Sequence, residues 1–295
     1  MFYSHLHADQ THGINDLRVF YLKNNKTTFN FGYEFSKNKV SFLLERSNQA
    51  FSSFDYSIKQ SDENNTHAIF WEYIYRSGEK LSLQLGVRSN YYTLTKKTFL
   101  APRIYSEILL KTKIWFKTSL EFKQQNISQL LELSTADFGL ENQIWALSSQ
   151  DNIPLLKSKQ FTVGLLFKDD DWVIDVDVYQ KKITGLTTVS KGFQTVNNNY
   201  SEGEQVAKGI DVLIQKKWNN YNSWISYSFG ENVFTFSGIN NGLSFAGNTD
   251  IKHSFLWSQS LKLGNYQLSL GWNYRTGIPF TNATGLDSQN EIIYQ

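Results

Sequence analysis

The eleven residues from Asn265 to Arg275 read NYQLSLGWNYR, and every second one is apolar: Tyr266, Leu268, Leu270, Trp272 and Tyr274 alternate with Asn265, Gln267, Ser269, Gly271, Asn273 and Arg275. A period of two is the signature of a β-strand with one greasy face and one wet face. The pattern recurs along the chain. Leu81, Leu83, Leu85 and Val87 alternate with Ser82, Gln84, Gly86 and Arg88, and Trp172, Ile174, Val176 and Val178 alternate with Val173, Asp175, Asp177 and Tyr179. About twelve such runs are expected, at roughly 14-22, 27-45, 66-76, 80-94, 100-110, 113-124, 159-168, 171-186, 205-217, 222-236, 249-261 and 265-277. Helical periodicity is nearly absent. Its best candidate, ISQLLEL at 127-133, amounts to one or two turns inside a loop.

The connections between runs alternate in length. Tight turns fall at KNNK (23-26), SGE (77-79), KTK (111-113), KDDD (168-171), WNNY (218-221) and KLGN (262-265). Long polar loops lie between them, at about 46-65, 125-158, 187-204 and 237-248, with 95-99 as a short exception. An up-and-down meander sends all turns to one end and all loops to the other. One end is neat and the other is shaggy.

Alternation alone leaves two architectures open, because a soluble β-sandwich also buries one apolar face. Three features favour a membrane-spanning barrel. From Tyr266 to Tyr274 is eight steps of about 3.3 Å, or about 20 Å along the normal at a tilt near 40°, close to the apolar band such barrels show. The turn and loop asymmetry is the layout of outer-membrane barrels, and Arg88, Glu121, Asp175, Asp177 and Asp211 place charges in mid-strand on the wet face. No apolar run approaches the roughly 18 residues of a transmembrane helix. With 22 Phe, 16 Tyr and 8 Trp the chain is rich in rings suited to half-wet interfaces. Its 29 basic and 27 acidic residues leave +2 and form no basic stripe, so nucleic acid is not an expected partner. The absence of cysteine rules out disulfides, thiolate metal sites and Cys nucleophiles. The opening MFYSHLHADQTHGIND has neither the basic nor the apolar region of a signal peptide.

Several segments resemble the barrel of TonB-dependent receptors, in particular those of Bacteroidota-type outer membranes. They are FNFGYEFSKNKVS, KLSLQLGVRSNYY, LAPRI, NIPLLKSKQFTVGLLFKDDDWVIDVDVYQKKITGL, EGEQVAKGIDVLIQKKWNNYNSWISYSFGENVF, NTDIKHSF and LSLGWNYRTGIPFT, in that order. The resemblance implies an energised importer, a barrel of about 22 strands with a plugged lumen. It implies outer-membrane lipid around the barrel, a TonB-type energy-coupling partner acting through a plug region, and a small solute as cargo. The plug, the TonB-contacting segment and the earliest strands of the family pattern are not found in the sequence, and Gln295 closes no strand with the family's terminal aromatic. The expected fold is therefore all-β: an antiparallel up-and-down transmembrane β-barrel, partial, with about twelve strands of a larger barrel occupying 1-295 as one domain. The expected function is TonB-coupled uptake of a scarce solute such as an iron chelate, a cobalamin-like cofactor or a glycan fragment, with no catalysis and no cofactor. A passive porin-like or adhesive barrel and a soluble carbohydrate-binding sandwich remain as alternatives.

Candidate sites are few. His5, His7 and His12 with Asp9 could bind a metal but read more simply as the tail of a severed loop. Asp175 and Asp177 could work as an acid and base pair, but a solvated lumen wall explains them as well. The DDD at 169-171 sits in a turn too tight to wrap a cation. The loop aromatics Trp145, Phe193, Tyr200, Phe234, Phe236 and Phe245 either meet a ligand at the outer face or pack the loops together.

Overall fold

The computed structural model describes residues 2-24, 26-48, 56-130, 145-149, 153-188, 201-237, 239-247, 250-279, 283-286 and 292-294. The strands in chain order are β1 (Phe2–Asn24), β2 (Thr27–Asn48), β3 (Tyr56–Ser77), β4 (Leu81–Tyr92), β5 (Lys97–Lys111), β6 (Ile114–Gln125), β7 (Ile127–Gln129), β8 (Trp145–Leu147), β9 (Leu156–Lys168), β10 (Trp172–Thr188), β11 (Ser201–Trp218), β12 (Tyr221–Phe236), β13 (Phe245–Ala246), β14 (His253–Leu263), β15 (Tyr266–Arg275), β16 (Ala283–Leu286) and β17 (Ile292–Tyr294). One antiparallel sheet runs β1-β2-β3-β4-β5-β6-β9-β10-β11-β12-β14-β15, twelve strands in chain order with the short β7, β8 and β13 skipped, and β13 added at β12. Among the described residues no ladder joins β1 to β15. The result is an open meander in a single layer, which removes the sandwich as an architecture.

Register explains why this sheet needs two solvents. Across nine strands the paired row Leu81, Ile108, Phe116, Leu165, Val176, Val212, Tyr227, Phe255 and Tyr274 contains no polar residue. The row one step away, on the opposite face, is Ser82, Glu107, Lys117, Gly164, Asp177, Asp211, Ser228, Ser254 and Arg275. It contains nothing but polar residues and glycine. The apolar face has no protein packed over it: Leu165 is 50% exposed, Val178 50% and Leu270 63%. A continuous exposed apolar surface of this extent belongs against lipid.

Aromatic side chains bound that surface at both ends. Near the tight turns, Trp218 packs tilted against Tyr221 at 5.2 Å between ring centroids and Phe29 against Tyr73 at 5.1 Å. Toward the loops, Tyr33 shares a 2.7 Å hydrogen bond with His67 Nδ1, and Tyr227 a 2.9 Å bond with His253 Nδ1. Between the two levels on β12, from Tyr221 to Phe229, lie eight steps, about 20 Å along the normal at a usual tilt. The turns themselves are as expected: Gly78 and Gly264 take φ of +56° and +59°, a left-handed region glycine enters without strain.

Three local expectations are corrected. The ISQLLEL segment is not helical where it is described, because Ile127–Gln129 pairs as β7 with β8. Residues 2-13 are not a loop tail but the outer half of β1, paired to β2 from Phe2↔Asn48 onward, and they carry His5, His7, Asp9 and His12. The stretch 56-65, read as loop, is strand β3. Pro102 lies well inside β5. It is tolerated because the β5–β6 ladder begins only at Arg103↔Glu121, so β5 up to Pro102 is paired on the β4 side alone.

Candidate functional site: the polar wall

Much of the charge on the wet face of the sheet lies in ion pairs laid across the strands. Glu34 on β2 accepts two hydrogen bonds from Arg88 on β4, at 2.5 and 3.3 Å. Arg103 on β5 reaches Glu72 on β3 at 2.7 Å, and Asn30 donates to the same carboxylate at 2.7 Å. Lys117 on β6 bridges Asp175 and Asp177 on β10, at 2.5 and 3.0 Å. Each of these pairs skips a strand. The two side chains must therefore meet above whatever residue the middle strand presents.

In two of the three cases that residue is glycine. Glu72, Gly86 and Arg103 are direct cross-strand neighbours, as are Lys117, Gly164 and Asp177. A Cβ on Gly86 would lie 2.7 Å from Arg103 Nε, and one on Gly164 would lie 1.9 Å from Asp177 Oδ1. The glycines are slots that let an ion pair lie flat on the wall. Farther along, the Tyr179 hydroxyl covers Gly209 and the Phe236 ring covers Gly203 in the same manner, with 2.7 and 2.2 Å to the Cβ each glycine lacks.

The described residues between β6 and β9 fold back over this wall. β7 and β8 pair with each other, Ser148 N donates to Asn126 O at 2.7 Å, and β8 lies against β2 and β3. Leu130, Ala146, Leu147, Ile153 and Leu155 are buried there, with Val40, Ala68 and Tyr92 on the sheet beneath. Between this insertion and the wall is a cavity of about 480 Å³ whose lining includes Asn38, Thr66, Arg88, Asn90, Lys123 and Trp145. Its cations are already neutralised, Arg88 by Glu34 and Lys123 by Glu121. Farther round the sheet a second roof forms where Phe234, Phe236 and Phe245 meet at 6.0 to 6.4 Å between centroids, over Leu186.

Of the six aromatics singled out in the sequence, three are brought together. Phe236 is fully buried and Phe234 is 5% exposed, so both rings pack within the second roof, with Phe245 half-buried on top. Trp145 is apart from them, on β8 at the cavity. Phe193 and Tyr200 lie outside the described residues. Asp175 and Asp177 share one ammonium group, so both are engaged in the wall's ion-pair network, which keeps one net negative charge, and they are not a free acid and base pair. Sequence reading located Arg88, Asp175 and Asp177 on the wall but missed their partners Glu34 and Lys117, and it missed the Arg103–Glu72 pair altogether. The available signal was a glycine at a wet position, Gly86 or Gly164, flanked in register by opposite charges. At the tight-turn end the Lys113 ammonium, helped by the Asp170 N–H at 2.7 Å, holds the Asp169 carboxyl below its ordinary range.

Greasy outside, charged and slotted inside, turns at one end and roofs at the other: this is the wall of an outer-membrane-type β-barrel. The profile of the TonB dependent receptor-like β-barrel family matches residues 3-290, and the chain belongs to that family. Its members are outer-membrane transport receptors rather than enzymes. Among solved structures, the FrpB iron transporter from Neisseria meningitidis superposes with a TM-score of 0.64 at 12% identity, over 97% of this chain and 46% of its own. The ferric yersiniabactin uptake receptor FyuA from Yersinia pestis gives 0.64 at 10%, over 93% and 43%. The copper transporter OprC gives 0.63 at 11%, over 91% and 44%. No curated protein sequence matches the chain. At these identities the likeness is one of fold, and the chain spans less than half the length of each structure.

Proposed function

We propose that residues 1-295 are one domain, part of the barrel wall of an outer-membrane receptor for TonB-coupled uptake of a scarce solute. An iron chelate, of the kind siderophore receptors import, a cobalamin-like cofactor and a glycan fragment are the candidate cargoes. The family match across 3-290 carries this reading, and the polar wall supports it. A wall of cross-strand ion pairs offers charged and hydrogen-bonding groups to an inserted plug or a passing solute. The energy-coupling partner acts through the plug, which the rest of the receptor supplies, and the chain performs no reaction on the cargo.

The test is uptake in the native host. Deleting the gene is expected to abolish accumulation of one labelled solute among the three classes, and removing the TonB-type protein is expected to give the same loss. Uptake that survives without the TonB-type protein would instead establish the passive, porin-like barrel.

A further inference from the structure

The six tight turns are unlike the rest of the molecule in charge. Counting from Lys23 to Lys26, Arg76 to Lys80, Lys111 to Lys113, Lys168 to Asp171, Lys216 to Asn220 and Lys262 to Asn265, they hold ten Lys and Arg against four Asp and Glu, in a chain whose net charge is only +2. Every turn contributes at least one lysine. Lys113 is taken by Asp169 and Lys216 by Asp171 at 3.3 Å. Lys80, Lys111, Lys168, Lys217 and Lys262, from five different turns, are exposed and have no carboxylate partner among the described residues. Adjacent hairpins are two strands apart, so these ammonium groups recur about every 10 Å along the rim.

Directly above the rim, on the apolar face, lies an aromatic level built around a cation. Lys216 Nζ sits 4.6 Å from the Trp172 ring centre and 5.1 Å from that of Trp218, and Trp218 packs on Tyr221. Tryptophan and tyrosine with a greasy body and a polar edge settle at the headgroup level of a bilayer, and lysines just beyond them extend toward phosphates. The geometry points to a lipid partner: we propose that the tight-turn rim binds the headgroups of anionic phospholipids in the leaflet on that side. This rests on the barrel lying in a membrane and not on what it transports, so a failure of the uptake reading leaves it standing.

Folded protein in detergent is titrated with brominated phosphatidylglycerol or brominated phosphatidylcholine, and quenching of tryptophan emission reports lipid at the aromatic level. Phosphatidylglycerol is expected to quench at the lower mole fraction, and added salt is expected to erase the difference. Replacing the five lysines stepwise, as Lys80→Gln, Lys111→Gln, Lys168→Gln, Lys217→Gln and Lys262→Gln, is expected to lower the preference by roughly fivefold per step, since each such lysine contributes on the order of 1 kcal/mol. The matching Lys→Arg set is expected to keep it. Equal quenching by the two lipids, or an unchanged preference in the Gln series, would overturn the proposal. So would abolition of the preference by soluble glycerol phosphate at equal phosphate concentration, which would assign the rim to a free anion.

Discussion

At the scale of single residues, the polar wall depends on side chains that are not there. Gly86 and Gly164 matter because Arg103 and Asp177 occupy the volume a Cβ would take. Gly164→Val must push Asp177 off Lys117, leaving Asp177 without its cation and Lys117 with Asp175 alone. A loss of about 1–3 kcal/mol is expected, the usual cost of forcing a bulky group into a filled site. Gly271 is a matched control, since no atom lies within 4 Å of its missing Cβ. The midpoint of the heat-modifiable shift in gel mobility should fall for Gly164→Val and hold for Gly271→Val. Equal behaviour of the two would mean that the slots do not organise the ion pairs.

At the scale of elements, β15 tests which face is which. Leu270 shares the face of Val176 and Val212, while Ser269 lies opposite Ser260, to which its hydroxyl donates at 3.4 Å. In the receptor, Leu270→Arg should place a charge in the hydrocarbon and cost about 2–4 kcal/mol, whereas Ser269→Arg should cost far less. One residue of register separates the outcomes. Reversible unfolding in lipid vesicles reads both, and a larger cost at Ser269 would reverse the assignment of faces. Elements of this kind were legible in the sequence because lipid on one side and water on the other impose strict alternation. All twelve main strands and six tight turns were found that way. What escaped was strand that sits outside the bilayer. Residues 2-13 and 56-65 lack strict period-two alternation in their sequence, and the three-residue β7 and β8 are recognisable only through their pairing with each other. The same reason hid the partners of the wall's charges. Pairs such as Lys117 and Asp175 are 58 positions apart and meet only once register is set.

At the scale of the whole molecule, the wall is uneven in height. β2 and β3 each run 22 residues, about 55 Å along the normal at a tilt near 40°, while the 10 residues of β15 reach about 25 Å. Only the lower part of β2 and β3 carries the greasy band. Removing the paired residues Leu43, Leu44, Ile58 and Lys59 should therefore shorten the hairpin without changing stability in lipid. Removing Phe31, Gly32, Phe70 and Trp71, an equally even cut, should lower the unfolding midpoint, because it thins the band and shifts Glu34 away from Arg88. Unfolding midpoints of the two deletions that coincide would show that the band has no privileged position. If they separate as expected, the tall side behaves as a stave whose upper length is free to drift two residues per strand at a time. Insertions and deletions there alter how far the protein reaches into its surroundings, and what can touch it from outside, while its seating in the bilayer stays the same.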